Sequence, residues 1–186
     1  MRDIYVISDT HFGHENILKF VDSEEKPLRE FHDVWHMNEH IIDRWNKTVK
    51  DNDIVYHLGD VYFSKGHEVL PRLRGHKRLI LGNHDDGKCE HLHAAFEKIL
   101  MWREFKEFDC IMTHVPIHES SLYKRKYNLH GHVHKGSHRG LIEDKQYNQT
   151  VTVNQIRRVG HEGIILQRSR EVGQRDQGRV VWSLAA

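Results

Sequence analysis

The sequence predicts an α/β domain, and three observations carry that expectation. Short apolar runs rich in β-branched residues alternate along the chain with longer segments of helical periodicity. The chain has 186 residues, enough for one domain with a substantial core. No internal repeat, low-complexity tract or Pro/Ser linker divides it. Residues 1–160 are therefore expected to form one domain. Residues 161–186 are read as a polar tail that holds one edge-strand candidate, Val180-Val181-Trp182.

The elements follow in order. Ile4-Tyr5-Val6-Ile7 reads as a strand, and a helix is expected within residues 14–21. Val34, Met37, Ile41, Ile42, Trp45 and Val49 recur at three- and four-residue spacings, the stripe of an amphipathic helix that Lys50-Asp51-Asn52-Asp53 stops. Residues 54–58 and 78–81 read as the second and third strands. Between them a short helix over 67–73 is limited by Pro71. Residues 91–100 read as helix, and 105–108, 110–113 and 127–130 as strands. Leu141-Ile142 and residues 150–153 suggest late antiparallel strands. Trp35, Trp45 and Trp102 are expected to pack in the core or against helices.

Composition excludes several classes. Lys plus Arg is 28 and Asp plus Glu is 27, a formal charge of +1, which gives no global pull toward nucleic acid or an anionic membrane. No apolar run is long enough to span a bilayer, and the start MRDIYVISDT does not resemble a signal peptide, so a cytoplasmic protein is expected. Cys89 and Cys110 are too few for a disulfide framework or a thiolate cluster. Histidine alone is in excess, at 18 residues, and it is the commonest metal ligand.

Much of that excess sits where strands end. Asp9-Thr10-His11 follows the first strand, Gly59-Asp60 the second and Gly82-Asn83-His84-Asp85 the third. His114 follows residues 110–113, and Gly131-His132-Val133-His134 follows 127–130. In α/β sheets the loops at the carboxyl ends of strands converge on a rigid frame, so a site is expected there. Any one fragment is an ordinary polar turn. Five in series, each metal-competent, are a pattern.

That order resembles the calcineurin-like metallophosphoesterases over about residues 4 to 154, most closely their small single-domain bacterial and phage-type members. The resemblance implies a four-layer αββα sandwich, two mixed sheets flanked by helices. It implies a metal-dependent phosphoesterase with two divalent cations, manganese first, with iron, zinc or nickel fitting the same nitrogen and oxygen donors. Carried over by position, Asp9, His11, Asp60 and His134 hold one metal, and Asp60, Asn83, His114 and His132 the other. A carboxylate such as Asp60 can bridge cations ~3.5–4 Å apart. The neutral Asn83 leaves the centre positive, suited to a phosphate. His84, unligated, is the expected general acid as a metal-bridging hydroxide attacks phosphorus in line.

The expected substrate is a small phosphodiester or nucleotide, with a nuclease or a phosphomonoesterase of the same family as the alternatives. A non-catalytic scaffold is disfavoured because the ligand positions and His84 are all filled by competent residues. The Gly59-Asp60 block lacks the Asp and the Arg-Gly found in the protein-phosphatase branch, which argues against that activity. His14, His118 and Arg125 are candidate substrate contacts. Asp85 is read as orienting a histidine or capping its turn, and His57 as a satisfied core histidine.

Overall fold

The architecture was read from a computed structural model that describes residues 2–21, 24–133, 150–152, 157–160 and 163–165. Among the described residues there are two sheets and two α-helices. The first sheet holds β1 (Ile4–Ile7), β2 (Ile54–His57), β3 (His76–Ile80) and β4 (Lys98–Leu100) in parallel. The second holds β5 (Arg103–Phe105) antiparallel to β6 (Cys110–Met112), followed by β7 (Tyr127–His130) and β8 (Thr150–Thr152), both parallel to β6. The first sheet is completed at its β1 edge by the antiparallel hairpin of β9 (Arg157–Gly160) and β10 (Gly163–Ile165). These sheets flanked by helices are the expected mixed sandwich.

Alternation along β1 to β3 explains the layering, because successive side chains leave opposite faces of a strand. Tyr5, Ile7, Val55 and Leu79 face one way, into a buried cluster with Ile42, Trp45 and Val49. Val6, Tyr56 and Ile80 face the other way, against Phe105, Cys110, Met112 and Leu129 of the second sheet. Strands buried on both faces read as near-continuous apolar runs, which is why they were visible in the sequence.

Helix α1 (Val34–Thr48) begins where the Asp33 side chain accepts the His36 N–H at 2.7 Å, an N-cap. Its buried stripe is Val34, Met37, Ile42 and Trp45, and Trp45 also donates its indole N–H to the Arg74 carbonyl at 2.9 Å. Truncating a side chain as buried as Trp45 costs about 3–5 kcal/mol. The helix ends at Val49, which is extended. Beyond it the Asp53 carboxylate accepts the N–H groups of Lys50 and Asp3, tying the helix exit to the start of β1.

Several expectations are corrected. The helix expected over 91–100 is the short α2 (Glu90–Ala95), and 98–100 is instead the strand β4. A three-residue edge strand carries no periodic signal of its own. The strand expected over 105–108 is displaced to Arg103–Phe105, because the register Phe105↔Cys110 puts 106–109 in the hairpin turn, with Asp109 left-handed at φ 52°. The strand within 150–153 is parallel to its neighbour rather than antiparallel. Of the three tryptophans, Trp45 is buried while Trp35 and Trp102 are half exposed. Leu141-Ile142 and Val180-Val181-Trp182 lie outside the described residues. No described helix is long and apolar enough to cross a membrane.

Candidate metal centre

The carboxyl ends of β1, β2, β3, β6 and β7 deliver their loops to one place. Asp9 donates its N–H to the Gly59 carbonyl at 3.0 Å and His11 to the Asp60 carbonyl at 3.1 Å, so the first two loops are laced together. The Asp9 carboxylate in turn accepts the His132 N–H at 3.0 Å, which reaches across to the loop after β7. Asp60 Oδ1 accepts the His84 N–H at 3.0 Å and holds the loop after β3. Asn128, fully buried on β7, accepts the Ile117 N–H at 3.1 Å and so fixes the segment that follows His114.

Asp9, His11, Asp60 and His132 all have positive φ, between 49° and 66°. Left-handed non-glycine residues are costly, of the order of 1–3 kcal/mol each, and persist only where their surroundings over-determine them. The cross-loop hydrogen bonds supply that constraint. Glycine is required where the loops touch: Gly59, at φ 96°, would place a Cβ 2.6 Å from His114 Nδ1, and a Cβ on Gly131 would overlap Asp9 Oδ2.

Two donor groups result, and they share Asp60: Asp9, His11 and Asp60 in one, Asp60, His114 and His132 in the other. His11 Nε2 lies 3.8 Å from Asp9 Oδ1 and 3.9 Å from Asp60 Oδ2. These separations exceed a hydrogen bond and suit ligands around a common ion. His114 Nδ1 lies 2.7 Å from the Leu58 carbonyl, an obligatory acceptor, so Nδ1 carries the proton and Nε2 turns its lone pair inward. There Nε2 meets Asp60 Oδ2 at 3.5 Å and Asn83 Oδ1 at 2.8 Å, and His132 Nδ1 meets the same Asn83 oxygen at 2.9 Å. The His114 Nε2 lone pair thus converges with the oxygens of Asp60 and Asn83, and with His132 Nδ1, on one centre, the donor set of a cation. The residues fit a metal.

Six of the seven expected ligands are thus brought together; His134 lies outside the described residues. His84 stands exposed beside them, its ring 6.3 Å from that of His11. His14 is placed at the first ligand loop, its Nδ1 3.4 Å from His11 Nδ1. Burial and the neighbouring His11, His84 and Arg29 hold its pKa below the ordinary histidine value. Among the described residues Asp85 orients no histidine. It caps its turn by accepting the Gly82 N–H at 2.8 Å and reaches the Asp60 and Val61 N–H groups at 2.9 and 3.0 Å. His118 caps the 3-10 turn Glu119–Leu122 by accepting the Ser120 N–H. Arg125 is not brought to the site: it precedes β7, at the opposite end of that strand from His132, and pairs with Glu104 at 3.0 Å. The salt bridge to Glu104 takes up the charge expected to face substrate.

A family model described as calcineurin-like phosphoesterase matches residues 2–181. The chain belongs to the calcineurin-like phosphoesterases. It is 37% identical over 139 residues to an uncharacterized protein of Methanocaldococcus jannaschii, covering 72% of this chain and 70% of that one. It is also similar to the gene 66 protein of a Mycobacterium phage, 32% identical over 91 residues, or 46% of this chain and 41% of the phage protein. Among solved structures, a protein of unknown function from Aquifex aeolicus superposes with a TM-score of 0.63 at 26% identity, covering 82% of this chain and 89% of its own. Membership makes this phosphoesterase a hydrolase of phosphoric esters and implies divalent metal ions.

Two contributors to the site carried no signal in the sequence. Arg29 comes from an aperiodic polar stretch, yet its guanidinium donates to the main-chain carbonyls of Asp9 and of Thr10, the latter at 3.0 Å. Burial pushes its pKa down to about 10 and Asp9 opposes the shift, so it stays charged at neutral pH. Phe63 stacks on His14 with ring centroids 4.1 Å apart and on His11 at 5.3 Å. His57, fully buried, closes a relay in which it accepts the Gly59 N–H at 3.2 Å and donates to Thr10 Oγ1 at 2.9 Å. The Thr10 hydroxyl then donates to the Val61 carbonyl at 2.7 Å.

Proposed function

We propose that this phosphoesterase hydrolyses a small phosphodiester with the help of two divalent cations. The observation that supports the reading above all is the sharing of Asp60 between the two donor groups. Asp9, His11 and Asp60 would hold one cation, with His134 as the ligand the family pattern adds. Asp60, Asn83, His114 and His132 would hold the other. When bound, such a pair neutralises charge on the phosphoryl oxygens and activates water.

The chain's own residues would do the rest. Asn83 contributes an oxygen without a charge, so the donor set carries only two carboxylates and stays attractive to an anion. His84, pinned through its N–H to Asp60 and exposed at the rim, is placed to give a proton to the departing oxygen. Asp85, Arg29 and the His57 relay keep the ligand loops in their left-handed turns. A diester, with one negative charge, suits this set better than a monoester dianion. The Gly59-Asp60 block offers no arginine to the second charge, and Arg29 is spent on main-chain carbonyls.

The test compares bis-p-nitrophenyl phosphate with p-nitrophenyl phosphate after chelation and with manganese, iron, zinc or nickel restored. Diester preference that returns with manganese is expected. Monoester preference, or silence in every metal, rejects the reading.

A further inference from the structure

We infer that a row of rings beside the metal centre is a stacking subsite for the base of a nucleotide ester. The row starts at His84, whose ring lies 5.1 Å from that of Phe63. Phe63 continues it to His14 at 4.1 Å, and His14 to Phe20 at 6.0 Å. His11, in the first donor group, flanks the row, with its ring 5.4 Å from His14. The row therefore runs from the reacting centre out to Phe20, a large apolar ring that remains 47% exposed.

One exposed phenylalanine is unremarkable on any protein surface. This one ends an unbroken series of rings that begins where the phosphate is expected. Two ring-to-ring steps separate His11 from Phe20, which suits a ligand whose charged group and flat apolar group are held apart by a sugar. The wall is also rigidly built. Phe63 donates its N–H to the Phe12 carbonyl at 2.7 Å and accepts the Gly66 N–H at 2.8 Å. The two loops lie so close that a Cβ on Gly66 would overlap the Phe12 carbonyl. The Phe20 carbonyl accepts the Leu28 N–H at 2.8 Å, which anchors the outer end. Every base has a π-face, so such a wall recognises nucleotides with little preference among them.

This inference rests on the phosphoesterase reading of the site, and the experiment keeps the two apart. The manganese-loaded full chain is titrated calorimetrically with AMP and with ribose 5-phosphate, which differ only in the base. The same preparation is assayed on bis-p-nitrophenyl phosphate. AMP is expected to bind about tenfold more tightly, the order of one stacked base. Phe20→Ala should remove that preference and leave the ribose 5-phosphate affinity unchanged, and Phe20→Trp should restore it. Equal affinities in the wild type, a Phe20→Ala change that weakens both compounds alike, or no binding of either would overturn the subsite. An AMP preference without diester hydrolysis would support the subsite and reject the diesterase reading alone.

Discussion

The Asp85 carboxylate accepts the backbone N–H of Asp60 at 2.9 Å, so the loop after the third strand sets the conformation of the carboxylate shared by both donor groups. The same carboxylate takes the Val61 and Gly82 N–H groups. Burial raises its pKa while those three donors lower it, and the net direction is upward. Asp85→Asn sets an amide NH2 against N–H donors and should cost about 1–3 kcal/mol. Urea unfolding reads the loss of stability, and manganese titration reads weakened binding. Unchanged metal affinity would show that Asp85 only closes its own turn.

Gly131→Ala would drive a Cβ into Ser8 Oγ and Asp9 Oδ2. The strain falls on the first ligand loop rather than on the sheets. The expected outcome is a 10- to 100-fold loss of manganese affinity, roughly that of disturbing a ligand's support, with far-ultraviolet dichroism preserved. Wild-type affinity would mean the two loops separate at little cost.

Arg29→Met keeps much of the apolar stem and removes the donors to the Asp9 and Thr10 carbonyls. Two charged-donor hydrogen bonds lost in a buried setting should cost about 3–6 kcal/mol. Metal affinity should fall with stability, because the carbonyls belong to the left-handed turn that carries Asp9 and His11. Arg29→Lys should recover part of both. Equal stability of Arg29→Met and wild type in thermal unfolding would refute the clamp.

His84→Ala is expected to keep wild-type metal binding by titration and to lose about 10²–10⁴-fold in turnover, the usual size of a general-acid contribution. Its side chain makes none of the short donor contacts seen among Asp60, Asn83, His114 and His132. Unchanged turnover would remove it from the mechanism.

His57 gives a pH dependence with a definite sign. Burial pushes its pKa down from 6.5 to about 3, with Asp9 opposing and His114 and His11 adding to the shift. Below about pH 6.5 the unfolded chain takes up a proton that the folded one refuses. Stability is therefore fully present above that pH and declines as pH falls toward about 3, with a slope approaching 1.4 kcal/mol per unit. His57→Gln should remove about one proton's worth of that slope. Chemical unfolding at a series of acidic pH values measures it, and identical slopes would contradict the neutral buried state.

The strands and α1 were legible because their signals are local: apolar runs for strands buried on two faces, and the stripe from Val34 to Trp45 for the helix. The ligand types were legible because each metal-competent cluster opens within three residues of a strand's end. The failures have physical causes too. Residues 98–100 are too few to show a period, and the turn at 106–109 is set by pairing with β6. Arg125 departs from the expectation because charge in a sequence does not reveal its partner, here Glu104.

Residue order alone determined which side chains could coordinate a metal, that they arrive at strand ends, and which family they resemble. The folded molecule decided that Asp60 belongs to both donor groups, that Arg29 clamps the first loop, and that Phe63, His14 and Phe20 form a row of rings beside them. The reason is distance along the chain. His132 and Asp9 lie 123 positions apart and meet through a single N–H. Contacts of that span have no periodicity to read, and only the packing of two sheets brings them within a hydrogen bond's length.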